Sequence, residues 1–93
     1  MNETHIVRRI REWLKDQPDV WFVKTFGGPG LVGTPDILAC VRGRFVAMEV
    51  KKPGAYPTPI QKRHIETITK VGGHAAIVRS LEEAQQVIQA ARG

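Results

Sequence analysis

A chain of 93 residues is long enough for one domain, and we expect a single domain over residues 1–93. Its composition, 42% hydrophobic and 25% charged residues, is ordinary for a globular protein, and no apolar run is long enough to cross a bilayer. The net charge of +5 favours an acidic partner such as nucleic acid, and we expect no membrane partner. We expect a cytoplasmic location, because Cys40 is the only cysteine and residues 1–3 begin no signal-peptide pattern.

The first half of the chain predicts one helix and three strands. Asn2 can cap a helix that ends near Lys15, because apolar residues recur at helical spacing between them. Residues 20–25 are rich in β-branched and aromatic side chains and predict a strand, whereas residues 26–35 hold four glycines and two prolines and predict a loop. Two further predicted strands, residues 36–41 and 45–51, flank the turn Arg42-Gly43-Arg44.

The second half of the chain predicts a helix, a strand and a final helix. Thr58-Pro59-Ile60-Gln61 combines an N-cap, a proline at the first helical position and a capping-box glutamine. That helix should end near Gly72-Gly73, which suit a C-cap, and residues 74–79 predict a strand. Ser80 and Glu83 predict a second capping box. The inward positions of the helix that follows are Leu81, Ala84, Val87, Ile88 and Ala91.

The predicted order α-β-β-β-α-β-α restricts the topology of the sheet. The third strand, the helix after it and the fourth strand form a crossover unit, so these two strands should be parallel with a right-handed connection. The first three strands can form an antiparallel meander. Because the middle strands are apolar on both faces, we expect helices on both sides of a mixed four-stranded sheet, in an α/β fold with a C-terminal helix.

Charged residues with a common orientation are predicted at the end of the third strand. Glu49 and Lys51 are two residues apart, which places both side chains on one face of a strand. The position of Asp36 depends on the hairpin turn. A Gly43-Arg44 turn puts Asp36 opposite Lys51, and an Arg42-Gly43 turn puts it opposite Glu49. Either two-residue turn leaves Asp36 on the same face as the other two residues.

This arrangement predicts metal-dependent hydrolysis of a phosphodiester. Two neighbouring carboxylates remain ionised together when a divalent cation lies between them, and oxygen ligands suit Mg²⁺ or Mn²⁺. We expect Asp36, Glu49 and the backbone carbonyl of Val50 to be the ligands. Lys51 is expected to orient the attacking water and to stabilise the transition state.

The same residues resemble a known signature. Gly33-Thr34-Pro35-Asp36 followed by Glu49-Val50-Lys51 is similar to the PD-(D/E)XK nuclease motif, and the chain as a whole resembles the VRR-NUC family, the virus-type replication-repair nucleases. The resemblance implies a restriction-endonuclease-like αβββαβ core. It also implies that Glu3, on the first helix, and Gln61, at the start of the second, join the catalytic set.

The resemblance implies that the protein is a small stand-alone enzyme. Such relatives act as homodimers on branched DNA, so we expect an endonuclease that resolves four-way (Holliday) junctions in DNA repair. We expect it in a bacterium or a phage-infected host cell. The apolar residues expected at a dimer interface are Trp21, Phe26, Leu31 and Val32, and the alternative is that Trp21 and Phe26 complete the monomer core.

The remaining polar residues suggest where DNA binds. Lys52, Lys62 and Arg63 flank the expected site and are candidates for phosphate contacts. The basic residues of the first helix are interpreted as a solvated face, and we expect Cys40 to be buried as a small hydrophobe. No aromatic residues alternate with the basic ones, so we expect recognition through backbone and shape rather than base stacking.

Simpler explanations exist for each residue taken singly. Asp36 can merely begin a strand, Glu49 and Lys51 can form a surface ion pair, Glu3 suits the first turn of any helix, and Gln61 can serve only as a cap. The alternative functions are a non-catalytic DNA-binding module, a nuclease acting on flaps or other branched DNA, and a partner-recruiting domain. Joint placement of Asp36, Glu49 and Lys51 favours catalysis.

Overall fold

The computed structural model describes residues 2–93, and it has the predicted order of helices and strands. The elements are α1 (Glu3–Lys15), β1 (Val20–Lys24), β2 (Ile37–Val41), β3 (Arg44–Val50), α2 (Pro59–Lys70), β4 (His74–Val78) and α3 (Leu81–Ala91). Every strand boundary falls within one residue of its predicted position. No helix among residues 2–93 is both long and apolar enough to pass through a bilayer.

The four strands form one mixed sheet in the order β1-β2-β3-β4. The first two pairings are antiparallel, and β3 pairs with β4 in parallel. Val41 pairs with Arg44, so the hairpin turn consists of Arg42 and Gly43, whose φ angles are +52° and +83°. Positive φ at both turn residues is the type I′ geometry that fits the twist of a hairpin. Of the two predicted registers, this one extends the ladder so that Asp36 lies opposite Glu49.

The main core lies between the sheet and helices α1 and α3. Alternate residues of β3 point into it, and α1 contributes one apolar stripe. These side chains are almost completely inaccessible to solvent: Ile6, Ile10, Leu14, Ile37, Val46, Met48, Val50 and Ile88. The predicted inward positions of α3 are confirmed, since Ala84, Ile88 and Ala91 are buried and Leu81 and Val87 pack against the core.

The opposite face of the sheet is covered only in part. Ala47 and Glu49 are buried there, and α2 packs against β3 and β4. Farther from α2, Trp21, Cys40 and Phe45 are cross-strand neighbours in one exposed row. The prediction that Cys40 is buried was therefore wrong, because α2 packs against β3 and β4 and leaves this part of β2 exposed.

The helix ends follow the predicted caps with one exception. The Asn2 side chain accepts a hydrogen bond from the backbone of His5 at 2.8 Å. At the start of α2, Thr58 and Gln61 exchange both bonds of a capping box. At α3, Ser80 accepts from the backbone of Glu83, but the Glu83 carboxylate accepts from the backbone of Arg79 instead of Ser80. The second predicted capping box is thus only half formed.

Candidate active site

Asp36 is anchored at the edge where β2 begins. Its Oδ2 accepts a hydrogen bond from the backbone N–H of Val50, at 2.8 Å, and its carbonyl accepts one from the backbone N–H of Thr25, also at 2.8 Å. The hydroxyl of Thr25 donates to the carbonyl of Pro35 at 2.7 Å. Both neighbouring strands therefore hold Asp36, so its side chain has little freedom to move away from the end of β3.

Glu49 is a buried carboxyl group with one unpartnered oxygen. The residue is 3% exposed, and its Oε1 has no hydrogen-bond partner among residues 2–93. Burial and the neighbouring Asp36 together raise the pKa of Glu49 to about 8, while the charge of Lys51 opposes the shift. An unpaired buried carboxylate destabilises a fold, so this arrangement points to a ligand that supplies the missing contact.

Lys51 continues β3 beyond its last regular residue. Its backbone N–H donates to the carbonyl of Val78 at 3.0 Å, which keeps the chain extended. Alternation along the strand then gives Lys51 the same face as Glu49. Its half-buried side chain lies close enough for its charge to lower the pKa of Glu49.

Glu3 connects the first turn of α1 to the same end of the sheet. Its Oε2 accepts a hydrogen bond from the backbone N–H of Lys52, at 3.3 Å. The negative charge of Glu3 contributes to the raised pKa of Glu49. The structure therefore brings Glu3, Asp36, Glu49 and Lys51 together from α1, β2 and β3.

For Gln61 the structure shows a role in capping α2. Its Oε1 accepts from the backbone of Thr58 at 2.9 Å, so that oxygen is already engaged. Gly33 packs directly against the first turn of α2. A Cβ atom added at Gly33 would collide with the side chain of Ile60 and would lie 3.2 Å from the backbone nitrogen of Gln61. This contact joins the loop preceding Asp36 to Gln61.

The donor set fits a divalent cation held by few protein ligands. Within residues 2–93, no group of three or more His, Cys, Asp or Glu side chains is close enough to form a metal cluster. Asp36, the unpaired Oε1 of Glu49 and the Val50 carbonyl would make two carboxylates and one carbonyl. Mg²⁺ usually retains several waters and takes only one or two carboxylates, so such a set is adequate for it.

A basic cavity adjoins the site on the side of α1. Its volume is about 440 Å³, and its lining includes Glu3 and Asp36 at the acidic end together with Arg8, Arg11, Lys24 and Phe26. Arg8 and Arg11 were expected on a solvated face of the first helix, and no role was predicted for Lys24. The sequence shows the charges and the spacing of Arg8, Arg11 and Lys24. Their position around one cavity depends on how α1 packs beside β1.

The residues expected to contact phosphates do not line this cavity. Lys52, Lys62 and Arg63 are all exposed, the first after β3 and the other two on α2. None of the three lines the cavity beside α1. Their exposure leaves them accessible to a macromolecule.

Comparison with known proteins identifies relatives over nearly the whole chain. No protein-family model matches it. A protein described as "Putative nuclease p44" from Acyrthosiphon pisum secondary endosymbiont phage 1 is 32% identical over 92 residues, covering 90% of this chain and 98% of the relative. A solved structure described as a VRR_NUC domain protein superposes with a TM-score of 0.80 at 24% identity, covering 96% of this chain and 86% of that one. A second, described as a VRR_NUC domain, has a TM-score of 0.76 at 26% identity, covering 94% of each chain.

Proposed function

The chain belongs to the VRR-NUC family of nucleases, and from that premise we propose that it is a Mg²⁺- or Mn²⁺-dependent DNA endonuclease. The proposed catalytic core is Asp36, Glu49 and Lys51. The observation that carries the proposal is the buried, unpartnered Oε1 of Glu49 beside the anchored carboxylate of Asp36. A cation between these groups would remove their repulsion and supply the missing contact.

Each residue of the site has a proposed task. Asp36, Glu49 and the Val50 carbonyl hold the cation, which when bound neutralises charge on the phosphodiester and lowers the pKa of water. The ammonium group of Lys51 orients the attacking water and stabilises the charge that develops on the phosphate oxygens. Glu3 accepts a hydrogen bond from water at the same edge of the sheet.

Gln61 has a narrower proposed role than the other members of the set. Because its Oε1 is bonded to the backbone of Thr58, a contact with substrate or water would come from its amide Nε2. Gln61 can then keep its capping function while it contributes a donor to the site.

The proposed substrate is a four-way DNA junction cut by a homodimer. One active site cuts one strand, whereas resolution of a junction needs two symmetric cuts, and a two-fold dimer matches the approximate two-fold of the junction. The exposed apolar surface supports a dimer: Trp21 is 63% exposed and Val32 is 66% exposed, and Leu31 is also exposed. Phe26 lines the cavity beside α1, so we remove it from the expected interface.

Contacts with the DNA backbone are proposed for Lys52, which directly follows Lys51, and for Lys62 and Arg63 on α2, all of which are exposed. The proposed setting is the cytoplasm of a bacterium or a phage-infected cell, in repair of DNA. The phage origin of the 32%-identical relative supports that setting.

The competing functions make different use of the same surface. A nuclease for flaps or other branched DNA would need the catalytic core but no symmetric pair of sites. A non-catalytic DNA-binding module would gain nothing from an unpaired buried Glu49, which lowers stability.

A cleavage panel separates these functions. Linear, flapped and four-way DNA of equal length would be incubated with the wild-type protein in Mg²⁺ or in EDTA. We expect paired nicks in opposing strands of the four-way substrate only with Mg²⁺. Preferential cutting of flapped DNA would change the substrate, and binding without any cleavage in Mg²⁺ or Mn²⁺ would favour the non-catalytic module.

A further inference from the structure

The cavity between α1 and β1 has the chemistry of a site for unpaired nucleic acid. Arg8 and Arg11 on α1 and Lys24 at the end of β1 line it, and Asp36 of the proposed active site lies at one end. Both ion pairs found among residues 2–93 are made by Asp19. The three cationic groups of the cavity are therefore not neutralised by a carboxylate within ion-pair distance.

Phe26 gives this cavity a second kind of contact. The residue is 74% exposed, and the ammonium group of Lys24 lies 5.0 Å from the centroid of its ring. Leaving so large an apolar ring in water is unfavourable, and a base stacked on it would remove both its surface and that of the base from solvent. Base stacking needs an exposed base face, which a continuous duplex does not offer.

The dimensions of the cavity also favour a single strand. Its volume of about 440 Å³ lies within the range of small-molecule pockets, about 300–1,000 Å³, so it can hold a base with its sugar.

We propose that this cavity binds an unpaired nucleic-acid strand next to the scissile phosphate, with Arg8, Arg11 and Lys24 at its phosphates and Phe26 stacked on a base. The inference rests on the proposed nuclease function, because it takes Asp36, at the acidic end of the cavity, as an active-site residue. It adds a binding site that is separate from Lys52, Lys62 and Arg63. It also revises the expectation that recognition involves no base stacking.

Binding measured without metal tests the site separately from catalysis. The probes are a fluorescently labelled oligothymidylate of 12 nucleotides, a duplex of the same length, and a forked duplex with one oligothymidylate arm, all in EDTA. Phe26→Ala should weaken binding of the single strand and the fork about tenfold, as loss of one stacked base does. Affinity for the duplex should change less than about twofold, and Phe26→Trp should restore binding of the single strand.

The salt dependence tests the cationic part of the site. The double variant Arg8→Ala/Arg11→Ala should reduce the slope of log affinity against log salt for the single strand by about 1.4, because each phosphate contact contributes about 0.7. The matched control Arg9→Ala/Lys70→Ala removes the same charge from exposed positions outside the cavity. That control should leave the slope unchanged.

Two results would overturn the proposal: equal losses for duplex and single strand in the Phe26 and arginine variants, or no loss with either. Cleavage of forked DNA by the wild-type protein in Mg²⁺ is measured separately. If the wild type cleaves and the variants bind normally, the cavity proposal fails and the nuclease stands. If the variants lose single-strand binding but the wild type never cleaves, the nuclease proposal fails and the binding site stands.

Discussion

The Asp36 side chain accepts the backbone N–H of Val50 across the sheet, with 2.8 Å between Oδ2 and the nitrogen. The last regular pair of the two strands is Ile37 with Met48. Beyond it, the Asp36 side chain replaces the backbone carbonyl that would otherwise accept the Val50 N–H. This hydrogen bond holds one carboxylate oxygen in the plane of the sheet and places the carboxylate beside the buried Glu49. The register of the β2–β3 hairpin therefore determines the geometry of the candidate site.

Lys51 and Lys52 offer a matched pair for testing transition-state stabilisation. Lys51→Ala should lower the single-turnover cleavage rate by at least about a hundredfold and change DNA affinity little, because its ammonium group acts on developing charge. Lys52→Ala, which changes an exposed neighbour on the other face, should weaken binding slightly and leave the rate intact. A large loss of affinity with an unchanged rate for Lys51→Ala would reverse the assignment.

Stability as a function of pH tests the environment of Glu49. Its pKa is raised from 4.5 to about 8 in the folded protein. The stabilising contribution of the protonated group is therefore complete below pH 4.5 and is lost as the pH rises through about 8. In EDTA, Glu49→Gln should melt at the same temperature as the wild type at pH 4.5 and at a higher temperature at pH 8.5.

Added metal should reverse that order at the higher pH. At pH 8.5, Mg²⁺ should raise the melting temperature of the wild type, because a ligand that binds only the folded state stabilises it. Glu49→Gln should show no such increase. Equal stabilisation of both proteins by Mg²⁺ would place the cation elsewhere.

Gly33 tests whether the loop before Asp36 must pack against α2. Gly33 and Gly54 both have positive φ, +75° and +87°, but only Gly33 faces a neighbour, the side chain of Ile60. Gly54→Ala should cost about 1–2 kcal/mol in the free energy of unfolding, from backbone strain alone. Gly33→Ala should cost at least about 1 kcal/mol more, from overpacking.

Urea denaturation measures both glycine variants. Gly33→Ala should also cleave more slowly than Gly54→Ala, because the displaced loop leads directly into Asp36. Equal costs in stability for the two variants would show that the contact with Ile60 adjusts freely.

Trp21 tests the proposed dimer. Trp21→Glu should shift the protein from twice the chain mass of 10.4 kDa to the chain mass itself in sedimentation at micromolar concentration. Tyr56→Glu, at a residue that is 83% exposed after β3, should leave the mass unchanged. A wild-type protein that sediments as a monomer would contradict the dimer without affecting the nuclease assignment.

Local signals in the sequence were sufficient to predict the order of the elements. Helix caps, apolar periodicity and glycine-rich loops all act over a few residues, so their physics is contained in short segments. The same holds for Glu49 and Lys51, whose common face follows from strand alternation. Their proximity to Asp36 was conditional on the turn, and Arg42, a non-glycine residue with positive φ, gave no decisive local signal.

Features that depend on packing between distant elements could not be predicted. Whether Cys40 is covered depends on how far α2 extends across the sheet, and α2 packs against β3 and β4. The groove formed by Arg8, Lys24 and Phe26 likewise depends on the position of α1 beside β1. Sequence spacing defines the face of each element but does not specify its neighbour.

The most direct test of the central claim is cleavage of four-way DNA by Asp36→Asn in Mg²⁺, measured alongside its DNA affinity. This substitution removes one carboxylate charge and keeps the shape of the side chain. We predict that cleavage falls below detection while affinity is retained or rises, because negative charge near the phosphates is removed. Undiminished cleavage by purified Asp36→Asn protein would contradict the assignment of the active site.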